Sequence, residues 1–194
     1  MTVEGRGQSE NPSTAPGDLE LVRSFVNTLD IEAGTDQLAA PQSARAWLAD
    51  RGHRLGRAPE QAQLRRLIAV REAIREAAAS RGTPAERNAI AALDRIAAGH
   101  PVTVRLSAAP LPFAPAGSGI DGFVARVLGI VAAATIDGTW EQLRACANDR
   151  CRWLFYDHSR NHSRTWCSMD LCGARSKMRT YRDRRRGEAR APLR

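Results

Sequence analysis

Four cysteines lie in the order Cys146-x4-Cys151-x15-Cys167-x4-Cys172, and they are all the cysteines of a 194-residue chain. Two equal pairs inside a short segment suit a metal that wants four soft ligands in a tetrahedron, which is the preference of zinc. The intervening spacer is long enough for a hairpin that brings the pairs together. His158 and His162 fall in that spacer and are read as hairpin or surface residues, since four thiolates already complete a set. Four cysteines also leave no open coordination position, so the metal expected is one structural Zn2+ and not a catalytic one. Disulfides are the rival reading. The N-terminus, MTVEGRGQSENPSTAPG, carries no apolar export segment, so a reducing cytoplasm and metal ligation are expected instead.

The charge is distributed to match. Residues 1–138 carry 15 basic and 15 acidic side chains, whereas residues 139–194 carry 14 and 6, so the whole net charge of +8 sits with the cysteines. Of the 29 basic residues only Lys177 is lysine, so clustering carries more information than residue type. After Cys172 the sequence GARSKMRTYRDRRR reads as a helix. At about 100° per residue, Arg175, Arg179, Arg182 and Arg186 form one ridge, with Lys177 on the same helix. Leu171, Ala174, Met178 and Tyr181 form an adjacent apolar face, which is expected to pack on the metal core. Arg160 and Arg164, beside Asn161 and Ser163, could add contacts from the spacer. A one-sided basic ridge on a small metal-stabilised module points to phosphate groups. Four thiolates and one Zn2+ together add two negative charges, so the loaded chain would carry about +6.

Other elements must position this module. Residues 1–17 are polar and read as a disordered tail. Asp18 is placed to cap a helix starting at Leu19, with Leu19, Val22, Phe25, Val26 and Leu29 on one stripe. Asn27 and Thr28 are polar within it and are read as structural hydrogen-bond formers ahead of ligand contacts. Further helices are expected over 42–51, 59–81, 83–99 and 118–136. Val102, Val104 and Leu106 alternate with polar residues as a short strand, with a partner around Leu111 to Phe113. The longest apolar run, Phe123 to Ile136, contains Arg126 and is too short to span a membrane. Trp153, Leu154, Phe155 and Tyr156 suit a hairpin strand, with at least two of them in a mini-core of the zinc module. The expected fold class is α+β. A mainly helical domain with a small β-sheet over 18–138 precedes a treble-clef-like zinc knuckle, hairpin and helix over 139–186. A basic tail fills 187–194.

These residues resemble the CGNR zinc finger family. The resemblance rests on Trp140, Leu143, Cys146-Ala147-Asn148, the WLFYD run, Ser159-Arg160-Asn161, Arg164, Trp166-Cys167-Ser168-Met169 and Cys172-Gly173-x-Arg175. Phe25 to Asp30 is similar to the start of the ABATE domain, which typically precedes that finger. The resemblance implies a bacterial transcription regulator whose finger binds DNA and whose N-terminal domain senses stress. It also implies Cys146, Cys151, Cys167 and Cys172 as the zinc ligands. One position departs: the Asn of the family motif is Ala174 here, so the motif reads CGAR.

No catalytic constellation is evident in residues 1–138, which hold no cysteine, no phosphate loop and only His53 and His100 as histidines. The chain is therefore expected to act by binding, not catalysis. The expected partners are DNA, a second copy of the chain and an unidentified small-molecule effector, with no membrane. The alternative is a zinc-stabilised protein-interaction or RNA-binding module.

Overall fold

The computed structural model describes residues 13–104, 106 and 113–188. Most of the expected tail, residues 1–12, lies outside this set, as do Leu111 of the expected partner strand and residues 189–194.

Helix α1 (Leu19–Val26) buries Leu19, Val22, Phe25 and Val26, the stripe that its spacing dictates. Asp18 does not cap it through its side chain; its carboxylate faces Arg126 at 3.4 Å instead. A tight ribbon follows, β1 (Leu29–Asp30) against β2 (Thr35–Asp36). Helices α2 (Pro41–Asp50), α3 (Gln61–Ser80) and α4 (Glu86–Ala98) come next. The antiparallel pair β3 (Val102–Val104) and β4 (Phe113–Pro115) precedes α5 (Gly119–Asp137). Helix α5 is long and apolar enough by length and composition to cross a membrane. In this fold it is the central helix, packed against α1, α3 and β4. Phe123 on α5 meets Phe25 at 5.3 Å and Trp47 at 6.0 Å between ring centroids, closing the middle of the core.

Gly138, at φ 81°, ends α5 in the left-handed region and turns the chain into the cysteine module. A 3-10 turn (Thr139–Gln142) leads to the hairpin of β5 (Leu143–Ala145) and β6 (Leu154–Tyr156). A π-helical turn (Met169–Gly173) and α6 (Ala174–Glu188) complete the chain. The architecture is α+β as expected: among the described residues the helical domain holds two two-stranded ribbons, and the cysteine module holds the expected hairpin.

The two modules share a core. Strand β6 alternates in the ordinary way: Leu154 and Tyr156 enter the helical core, while Phe155 faces the cysteines with Trp153 beside it. Leu143 and Trp140 also belong to the helical core. Three polar attachments reinforce the seam. Asn27 accepts from Leu154 N–H at 2.8 Å and donates to Leu154 C=O at 2.9 Å, so its side-chain amide pairs with β6 as a neighbouring strand would. Arg75 on α3, 1% exposed, donates to Val26 C=O at 2.7 Å and Arg152 C=O at 3.0 Å. Glu72 balances its charge at 2.9 Å, while burial pulls its pKa below the usual guanidinium value.

The third attachment corrects the expectation of a disordered tail as far as residues 13–17 are concerned. Ser13 and Ala15 are buried. Ser13 C=O accepts from Tyr156 N–H at 3.0 Å, and its hydroxyl donates to Cys167 C=O at 3.0 Å. Polar composition argued for disorder, but these backbone and hydroxyl groups find partners on the edge of β6 and at a ligand loop.

Thr28 bears out its structural reading, donating to Phe25 C=O at 2.8 Å and accepting from Arg71 at 3.1 Å. Replacing Asn27 with Ala strands two backbone groups of Leu154 in a part-buried seam. The expected cost is about 1–3 kcal/mol of stability. Chemical denaturation of the zinc-loaded protein measures it, and an unchanged midpoint would show that the seam bears no load.

Candidate metal centre and basic helix

The first cysteine pair is shaped by Asn148. Cys151 N–H and Arg152 N–H both donate to Asn148 C=O, at 2.8 and 3.0 Å, which tightens the knuckle. Arg152 then takes φ 52°, an unusual conformation for a side-chain-bearing residue. The Asn148 side chain is buried, and its amide reaches Cys172 Sγ at 3.6 Å across the site. In the second pair, Ser168 Oγ accepts from Leu171 N–H at 3.2 Å and starts the π-helical turn. A Cβ on Gly173 would stand 3.1 Å from Met169 Sδ and 3.3 Å from Trp166 Cδ1, so the glycine lets both side chains close on the turn.

The outcome is a cluster in which all four Sγ atoms lie within 4.8 Å of one another. Cys151 and Cys167 are 3.6 Å apart, and Cys167 and Cys172 are 3.7 Å apart. A tetrahedron with zinc–sulfur bonds of about 2.3 Å has edges of about 3.8 Å. These separations therefore fit a zinc ligand set, and they are far longer than a disulfide bond of about 2.0 Å. Hydrogen bonds from the Cys151 and Cys167 thiols hold Cys146 down at about 2. The same bond to Cys146 pushes Cys151 up to about 12, and Cys167 is pushed upward in the same way. One sulfur takes the charge and its neighbours keep protons to donate. Bound Zn2+ supplies the positive charge that lets all four ionise together. Phe155, Trp153 and Trp166 wrap the cluster in apolar surface.

His158 and His162 are not in the cluster. His158 Nε2 lies 2.8 Å from Thr14 C=O, and His162 Nδ1 lies 3.1 Å from Asp157 C=O. Asp157, fully buried, accepts from Ser159 N–H at 3.0 Å and Arg164 N–H at 2.8 Å and so folds the spacer loop. Sequence reasoning gave no role to Asp157 or to Ser13. Their roles depend on loop geometry, and no spacing signals it.

The expected phosphate-binding residues divide. Lys177, Arg179 and Arg182 are exposed on α6, and Arg160 is exposed in the spacer loop. Among the described residues no carboxylate lies within ion-pair distance of these four. Arg186 lies on α6, but its side chain is outside the described residues. Arg175 pairs with Glu32 in the β1–β2 turn. Arg164 does not point outward. It donates to Trp166 C=O at 3.0 Å, Ser13 Oγ at 3.1 Å and Cys167 C=O, and its guanidinium lies over Phe155 at 5.0 Å. Arg164 is therefore a brace of the metal centre, a correction to its reading as a phosphate contact. Carbonyls freed by the tight ligand turn need a donor, and a planar guanidinium supplies several in one plane.

The apolar face of α6 is also corrected. Leu171, Met178 and Tyr181 do not pack on the metal core and are 58%, 55% and 57% exposed. Phe155, Trp153 and Trp166 already cover that core, so α6 leaves it and packs chiefly on the π-helical turn.

Comparison with known families decides the affiliation. Residues 142–185 match the CGNR zinc finger, and residues 19–138 match the ABATE family, described as "Putative stress-induced transcription regulator". This chain belongs to the ABATE family. The two matches meet close to Gly138, where α5 ends, and the four cysteines of the CGNR finger form one closed site for one structural zinc. No curated protein matches the chain. The Ala174 departure falls at the first residue of α6, beyond the last ligand, so the ligand set remains complete.

Proposed function

We propose that this ABATE protein is a DNA-binding regulator whose CGNR finger carries α6 along the phosphate backbone. The observation that carries this reading is the state of α6. Its cations at Lys177, Arg179 and Arg182 stand exposed without acidic partners among the described residues, and its first turn is anchored to a closed metal site. Cations that no protein group neutralises attract phosphates, and release of condensed counterions favours the contact. Arg175 can exchange Glu32 for a phosphate, because a half-exposed pair of this kind is worth only about 0–1 kcal/mol. The finger's place is fixed by Asn27, Arg75 and Ser13, so the ABATE domain senses and the finger reports. The chain acts by binding and has no catalytic step. Selection of bound sequences from a random duplex pool, with single-stranded RNA as control, tests the reading. Enrichment of duplex sites supports it, and enrichment of RNA alone replaces DNA with RNA as the partner.

The exposed Leu171, Met178 and Tyr181 favour a second reading, in which the finger docks on a protein. Replacing Met178 and Tyr181 together with Ser separates the two. Duplex affinity is expected to change less than threefold under the first reading, measured by fluorescence anisotropy. Protein association would be lost under the second.

A further inference from the structure

A cleft of about 900 Å3 runs between the end of α3, the α3–α4 turn and the finger. Arg81, Arg144 and Arg152 line it, with Glu76, Glu141 and Asp149 opposite and Arg164, its guanidinium held by the ligand loop, at one side. Two of those carboxylates are already engaged, Glu76 with Arg152 at 2.8 Å and Glu141 with Arg81 at 3.5 Å. Arg144 is different. It donates to His162 C=O at 2.6 Å, and no carboxylate among the described residues lies within ion-pair distance of it. Next to it, Arg81 Nη2 and Ser80 Oγ are buried without a hydrogen-bond partner among the described residues. Unmet buried polar groups of this kind are uncommon and costly. Thr83, Thr165 and His162 also line the cleft.

We propose that this cleft binds a small organic oxyanion, a polyhydroxy phosphate or a polycarboxylate, with Arg144 as its principal charge partner. The class follows from the lining. Uncompensated guanidinium and hydroxyl groups recognise oxyanions and hydroxyls. The volume is near the upper end for small-molecule sites and exceeds the needs of a bare inorganic ion. One wall belongs to the ABATE domain and the other to the finger, so occupancy stabilises their docked arrangement. This inference rests on the sensing half of the proposed function and is independent of nucleic-acid binding.

The test uses the zinc-loaded full chain, with citrate, glucose 6-phosphate and inorganic phosphate titrated against sodium chloride of equal ionic strength. Calorimetry and thermal melting are the readouts. Either citrate or glucose 6-phosphate is expected to bind saturably, one per chain, and to raise the melting temperature. Which of the two binds separates carboxylate from phosphate, and inorganic phosphate should bind more weakly than the organic anion. Arg144→Gln should weaken binding at least tenfold. Ala85→Glu should do likewise, because it places a like charge at an exposed position of the rim without touching the fold. The α6 variant K177Q/R179Q/R182Q should bind the anion unchanged. No saturable binding beyond that of sodium chloride, undiminished binding by R144Q and A85E, or loss of binding in the α6 variant would each overturn the proposal. A chain that binds the anion but no duplex keeps this cleft and removes the nucleic-acid reading. The reverse result removes only the cleft.

Discussion

Removing zinc is expected to unfold the finger and to destabilise the ABATE domain with it. The reason lies in the seam. Four sulfurs packed within 4.8 Å cannot all ionise without a cation, so the metal-free cluster loses its organising charge. A structural zinc site contributes on the order of 10–16 kcal/mol to folding in isolated fingers. Loss of the site frees Phe155 and the Arg164 brace. The same strand carries Leu154 and Tyr156 into the helical core, where Leu143 and Trp140 join them. The strand also carries the backbone groups that pair with Asn27 and Ser13. A finger on a flexible linker would melt alone; this one exposes apolar surface of its neighbour as it goes. Metal analysis should return about one zinc per chain. Chelation should lower the melting temperature of the whole chain, not of a separate finger transition, and Cys172→Ala should do the same without chelator. A metal-free chain that stays folded and melts unchanged would refute the assignment of the site.

The second large effect concerns α6. Replacing Lys177, Arg179 and Arg182 together with Gln should abolish most of the salt-sensitive affinity for duplex DNA. Each lost phosphate contact lowers the slope of log affinity against log salt by about 0.9, so three lost contacts lower it by about 2.7. Affinity at moderate salt should fall by more than tenfold. The substitutions lie on exposed positions of a helix that packs chiefly on its own preceding turn, so folding should not change. Anisotropy titrations at several salt concentrations give the slope, and thermal melting checks the fold. Arg164→Gln should behave in the opposite way. It loses stability first, because its guanidinium braces Trp166, Ser13 and Cys167, and any effect on DNA follows from the damaged finger. If the α6 triple variant keeps the full salt slope, the phosphate contacts lie elsewhere.

The sequence by itself determined what depends on local spacing. The zinc ligands were legible because a tetrahedral metal demands four like donors in paired turns, and Cys146, Cys151, Cys167 and Cys172 are the only cysteines available. The main helices were legible because Leu19, Val22, Phe25 and Val26, like Leu64, Leu67 and Ile74, recur at the helical period. Asn27 was visible as an anomaly, a polar group in an apolar helix, though its partner was not. Tertiary structure alone decided what depends on pairs distant along the chain. Arg164 and Arg179 look alike in sequence; one is folded onto carbonyls of a ligand loop and the other faces outward. Ser13 is 154 residues from Cys167, yet its hydroxyl bonds to Cys167 C=O. The apolar stripe of Leu171, Met178 and Tyr181 predicted a buried face, but aromatic residues from the spacer and the second ligand loop had already covered the core it would have joined. Periodicity specifies which side of a helix is apolar. Which surface meets that side, and which cations are left for a partner, follows only from the packing of the whole chain.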